Sequence, residues 1–138
     1  MTTVTAPTTT PVATRNVRVL RAGLTAGAIA AITTTGFAAV THAAGVSYAI
    51  KGQAIPALGF GQMTFLFSLV GVGIAAVLAR RARHAQSTFI RSTVALTLLS
   101  FVPDIVAQTG SLTKVSLMTS HVLAAAVVIP RLAARLND

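Results

Sequence analysis

Asp104 is one of only two acidic residues in the chain, the other being the C-terminal Asp138. It lies within an apolar run, where a charged side chain costs about 2.5–3.5 kcal/mol on insertion scales. A residue held there at that cost is expected to face a bundle interior or water. His121 lies in the next apolar run, and an imidazole beside a carboxylate is a pair suited to proton exchange near neutral pH. His42 and Gln62, in the two earlier apolar runs, complete a set of four polar residues, one from each run.

Depth brings these residues to one level. Asp104 lies thirteen residues beyond Arg91, about 20 Å from the inner surface at 1.5 Å per residue, hence roughly 10 Å below the outer one. The fourth run enters from outside near Val115, which puts His121 about 9 Å deep. His42 and Gln62 occupy a similar or shallower level. Thr93, Thr97, Ser100 and Gln108 share a helix face with Asp104, so a polar cavity here would open outward. The plainer reading makes Asp104 and His121 a buried pair that fixes two helices, with the Ser and Thr hydroxyls bonded back to their own backbone.

Other chemistries find less support. Imidazole and carboxylate suit zinc, and two histidines suit haem, but His42, Asp104 and His121 follow no recognised ligand spacing. No metal and no cofactor is assigned. The absence of cysteine excludes thiolate catalysis and iron–sulfur ligation. No Ser-His-Asp order, carboxylate pair or Gly-rich phosphate loop is legible, so the chain is expected not to be an enzyme. His84, among arginines, reads as a solvated flank residue.

The elements that must position these residues follow from composition. The chain has 138 residues, 54% hydrophobic and 9% charged, against about a quarter charged in an ordinary soluble domain. Most of its surface must therefore face lipid. Four apolar runs, at about 22–44, 58–79, 89–106 and 115–136, are each long enough to cross ~30 Å of hydrocarbon. Pro103 is expected to kink the third by freeing the carbonyl of Leu99, and Pro130 to act likewise in the fourth. Residues 1–20 read as a disordered cytoplasmic tail with a basic flank, and 21–138 as one all-α integral membrane four-helix bundle.

Charge sets the orientation. Of the 11 Lys and Arg residues, Lys51 and Lys114 lie on one side of the four runs, leaving nine arginines on the other. Such an excess marks the cytoplasmic side and gives N-in/C-in. The net charge of +9 is thus accounted for without nucleic acid, and anionic lipid head groups at the cytoplasmic face are the expected partner of the basic flanks. A signal peptide is the rival for the first run, with Thr41-His42-Ala43 as its cleavage site, but the run is longer than the ~7–15 residues of a signal core. Multi-pass residence in the plasma membrane is expected.

Packing and loops have their own signals. Gly23, Gly27, Ala31, Thr35, Ala39 and Ala43 place a small residue at every fourth position of the first run, and Gly71, Ala75 and Ala79 do so in the second. Small residues let lipid-embedded helices approach closely, which nominates Gly23, Gly27, Ala31 and Thr35 as packing positions. In the outer loop, Val46-Ser47-Tyr48-Ala49-Ile50 alternates and Lys51-Gly52-Gln53 has turn character, giving either an extended flap or a plain loop.

The segments Ala54-Ile55-Pro56-Ala57-Leu58-Gly59-Phe60, Val102-Pro103-Asp104, Thr113-Lys114 and Met118-Thr119-Ser120-His121-Val122-Leu123-Ala124-Ala125-Ala126 carry a likeness. Over roughly Arg21 to Leu136 the chain resembles an uncharacterised, domain-of-unknown-function family of small four-span membrane proteins from high-GC Gram-positive bacteria. The resemblance implies the four-span architecture and an envelope location, and no activity. Small multidrug transporters are a poorer match, since they depend on an acid in the first helix and this chain has none there. The expected role is non-enzymatic, accessory or structural, with a membrane protein partner or a second copy of the chain. The alternative is a small transporter or ligand-binding protein using Asp104 and His121.

Overall fold

The structure, a computed structural model, describes residues 12–50 and 52–136. Four helical spans run Asn16–Ala43, Ala57–Arg81, Ala85–Val106 and Ser111–Ala133, each long and apolar enough to cross a membrane. The first belongs to α1 (Val12–Ala43), the second is α2 (Ala57–Arg81), and the fourth is α5 (Ser111–Ala133). The third is two helices, α3 (Ala85–Leu99) and α4 (Phe101–Val106), meeting at Ser100. Two-residue strands β1 (Ala49–Ile50) and β2 (Gln53–Ala54) lie between α1 and α2. The chain is therefore an all-α four-helix bundle of membrane-spanning type.

One expectation shifts. α1 begins at Val12, so residues 12–20 are helical rather than part of a disordered tail and extend the span inward. Residues 1–11 of that tail lie outside the described residues, as do Lys51 and Asp138. The third span is interrupted at Ser100 alone, where the backbone stays helical (φ −65°, ψ −16°), beside the Leu99 carbonyl to which Pro103 has no N–H to donate. Ser100 closes α3 by donating its backbone N–H to the Leu96 carbonyl and its hydroxyl to that of Thr97.

α1 is the hub. It packs most extensively against α2 and next against α5, while α3 rests on α5 and α2; among the described residues α1 and α3 do not touch. Gly23 faces Val72, and Gly27 faces Ser68 and Phe65. Gly61 lies under Thr35 and the Ala31 backbone. These pairs run in opposite directions along α1 and α2, as an antiparallel hairpin requires. Thr34 donates to the Thr64 hydroxyl at 3.0 Å across the same seam. Ala39 and Ala43, by contrast, face outward. A step of four residues turns about 400°, so a strict fourfold stripe drifts about 40° per step and leaves the contact. The buried positions Val19, Gly23, Ala26, Ala30, Thr34 and Ala38 correct for that drift with one step of three, from Gly23 to Ala26.

The core has two parts. The inner one gathers Ala26, Val72, Ala75, Phe89, Val128 and Leu132; the outer one is Ala38, Tyr48, Phe60 and Leu117. Large apolar side chains such as Ile32, Phe67 and Leu98 point away from the bundle, as lipid contact demands.

Candidate functional site

α1 ends at its outer terminus in a Schellman motif. Gly45, at φ +95°, donates to the His42 carbonyl and Val46 to that of Thr41. Glycine takes this left-handed turn without a Cβ penalty. The turn sends the chain back over the bundle. β1 and β2 then pair antiparallel, Ala49 opposite Ala54 and Ile50 opposite Gln53, with Gly52 at φ +79° in the turn. The flap expected from the alternation is present in this form.

Tyr48 anchors that flap. It is 3% exposed, its ring meets Phe60 edge-on at 4.7 Å, and its hydroxyl is hydrogen-bonded to Thr41. Thr113 donates to the Ser47 carbonyl at 2.7 Å and Thr109 to that of Ala49 at 3.3 Å, so α5 and the loop before it hold the flap from the other side. Sequence reasoning did not single out Tyr48, Thr109 or Thr113. The available signal was that Tyr48 is the chain's only tyrosine, within an apolar protein where a buried hydroxyl needs a partner.

Asp104 lies near the outer end of α4 and His121 ten residues into α5, about 15 Å along its axis. The structure brings these two together, with His121 Nε2 3.3 Å from Asp104 Oδ2. The approach has ion-pair distance without hydrogen-bond alignment, and Oδ2 is buried with no hydrogen-bond partner. The Asp104 side chain is 12% exposed, whereas that of His121 is 40% exposed. The Phe101 ring stands 6.3 Å from the imidazole, tilted by 53°. Lys114 Nζ donates to the Ile105 carbonyl at 2.6 Å, fastening the end of α4 to the first turn of α5.

The other two candidates stand apart from this pair. His42 faces outward, with Nδ1 3.1 Å from the Val46 carbonyl oxygen and its ring 6.5 Å from that of Tyr48. Gln62 faces outward from α2. Among the described residues no three His, Cys, Asp or Glu side chains are grouped to hold a metal ion. Thr93, Thr97 and Ser100 each bond back to their own helix, and Gln108 lies beyond the end of α4. Thr93, Thr97 and Ser100 are half-buried and Asp104 is buried, as one shared face requires, whereas Gln108 is exposed.

At the opposite end, two adjoining grooves of about 550 and 340 Å³ lie between the ends of α1 and α5, lined in part by arginine side chains.

Comparison with known proteins gives a family and no activity. No curated protein and no solved structure matches the chain. Residues 14–138, which take in all four spans together with Asp104 and His121, match a family of unknown function, so the chain belongs to that family, DUF6069.

Proposed function

We propose that the chain is a non-enzymatic, multi-pass protein of the plasma membrane that assists or regulates a partner in the cell envelope. The observation that carries this reading is the unequal use of the helices. In an 18-residue apolar window of α1 33% of residues are buried, whereas in that of the third span the share is 11%. The third span thus offers most of its length to whatever adjoins it. Packing between helices in lipid is governed by shape and small residues rather than by hydrophobicity, so a protein surface can replace lipid there. The scatter of His42 and Gln62 away from Asp104 also favours a role without catalysis.

The test uses the absence of native cysteine. Single cysteines at Val94 or Leu98, both facing outward on α3, would be cross-linked in whole membranes. A discrete adduct from these sites, absent from a control at Leu66 on α2 and unchanged by Asp104→Asn, is the expected result. A smear or no adduct from either α3 site would refute it.

A second reading rests on the buried, partnerless Oδ2 of Asp104 beside a part-exposed His121. An unsatisfied buried oxygen commonly marks a site for a water or an ion. On this reading the pair is an outward-facing binding or transport site. Cysteines at positions 104 and 121 would then react rapidly with a membrane-impermeant thiol reagent applied outside intact cells. Protection at both, in folded protein, removes this reading.

A further inference from the structure

The larger groove at the arginine-rich end is lined by Ala22, Thr25, Pro130, Arg131, Ala134 and Arg135. The smaller one shares Ala22, Thr25 and Arg135 and adds Arg18 and Arg21. Spacing explains the convergence. Arg18, Arg21, Ala22 and Thr25 stand at i, i+3, i+4 and i+7, one face of α1. Pro130 and Arg131 lie in the last turn of α5, and Ala134 and Arg135 follow in the turn just beyond its end. The small side chains of Ala22 and Ala134 open the space, and the guanidinium groups rim it. Arg131 Nη1 donates to the Val127 carbonyl at 3.0 Å, which turns that side chain back along α5.

Position selects the occupant. These residues lie where two spans leave the hydrocarbon on the side that the arginine excess marks as cytoplasmic, the level at which lipid phosphates sit. A planar guanidinium matches phosphate oxygens in bidentate fashion. The larger groove alone, about 550 Å³, falls in the ~300–1,000 Å³ range of small-molecule sites. We propose that the groove between the inner ends of α1 and α5, rimmed by Arg18, Arg21, Arg131 and Arg135, binds the phosphate head group of an anionic phospholipid of the inner leaflet. Basic groups between packed helices on this side are a recurring way to hold such lipids. The site is independent of the accessory role proposed above, because it requires only the membrane-spanning bundle.

The purified full-length chain would be titrated in detergent with phosphatidylglycerol or phosphatidylcholine, and bound lipid counted by native mass spectrometry. One phosphatidylglycerol is expected to bind in preference to phosphatidylcholine. Each arginine removed near the membrane surface is expected to weaken this about fivefold, so Arg21→Gln with Arg135→Gln should cost roughly thirtyfold. Arg83→Gln with Arg91→Gln removes the same charge at the same end, outside the groove, and should change affinity less than about threefold. The pair Arg21→Lys with Arg135→Lys, checked for helicity and monodispersity, returns the charge without the bidentate fork and should recover only part of the loss.

Equal losses from the groove and control pairs would overturn the proposal in favour of diffuse charge. So would a folded lysine pair that binds as tightly as the native arginines, or equal retention of phosphatidylcholine. Displacement of the lipid by inorganic phosphate at comparable concentration would assign the groove to a soluble anion instead.

Discussion

Gly61 offers the sharpest test of the α1–α2 seam. A Cβ built there falls inside the contact distance of Thr35 Oγ1 and 3.0 Å from the Ala31 backbone oxygen. The Thr35 side chain can turn, but the Ala31 oxygen belongs to a helix and moves only if α1 moves. Inserting one carbon into such a contact costs about 1–3 kcal/mol. Against that, exchanging glycine for alanine inside a helix gains up to about 1 kcal/mol. Gly73, on the same helix, has nothing within 4 Å of its Cβ position and supplies the gain without the clash. Gly73→Ala should therefore be neutral or slightly stabilising, and Gly61→Ala should fall about 1–3 kcal/mol below it. Unfolding of both variants in mixed micelles, followed by far-ultraviolet circular dichroism, measures the gap. Two variants of equal stability, or a Gly61→Ala that is the more stable, would refute close packing at this contact.

Three further outcomes follow from the same structure. Thr34→Val and Thr64→Val, combined in a double-mutant cycle, should show a coupling of about 0.6 kcal/mol, the usual worth of a hydrogen bond between helices in lipid; a coupling of zero would mean that the bond seen at 3.0 Å contributes nothing. Tyr48→Phe keeps the ring against Phe60 and loses only the hydroxyl bond, so it should cost about 0.5–1.5 kcal/mol. Tyr48→Ala should instead release the flap, read as faster amide exchange across residues 46–55, and unchanged exchange would show that Tyr48 is not its anchor. Asp104→Asn removes a charge whose Oδ2 lacks a hydrogen-bond partner, and is expected to stabilise the bundle by about 1–3 kcal/mol in the same micelle assay. A loss of stability there, matched by His121→Gln, would mean that the pair itself fixes α4 to α5; a loss seen with Asp104→Asn alone would favour the binding-site reading.

The spans were legible because hydropathy over some twenty residues depends only on composition and length, and bilayer thickness fixes the length. The flap was legible from alternation and a turn glycine, both local signals. What escaped depends on direction around a helix axis. Depth arithmetic placed Gln62 near the level of His121, but depth carries no azimuth, and Gln62 points outward. The stripe from Gly23 to Ala43 failed at its outer end for the related reason that fourfold spacing drifts around the helix. Tyr48 finds Phe60 and Leu117 only after the chain has turned twice, so nothing near it in sequence announced a plug. Pro103 was visible as a disruption, and the interruption at Ser100 falls where its missing N–H places it. The arginines were counted for topology, and that count is silent on which of them meet.

The hub position of α1 bears on how the protein is made. The α1–α2 hairpin joins neighbours in the chain, so its seam of small residues can close as soon as both spans are in the bilayer. The other large contact of α1 is with α5, the last span. Contacts between segments distant in sequence form late, because the intervening chain must first be ordered. Until α5 arrives, the described structure leaves α3 with only its edge on α2 to hold it. The middle of the bundle therefore waits on its final helix, and an assembly arrested before α5 inserts would consist of one firm hairpin with a loosely tethered third span beside it.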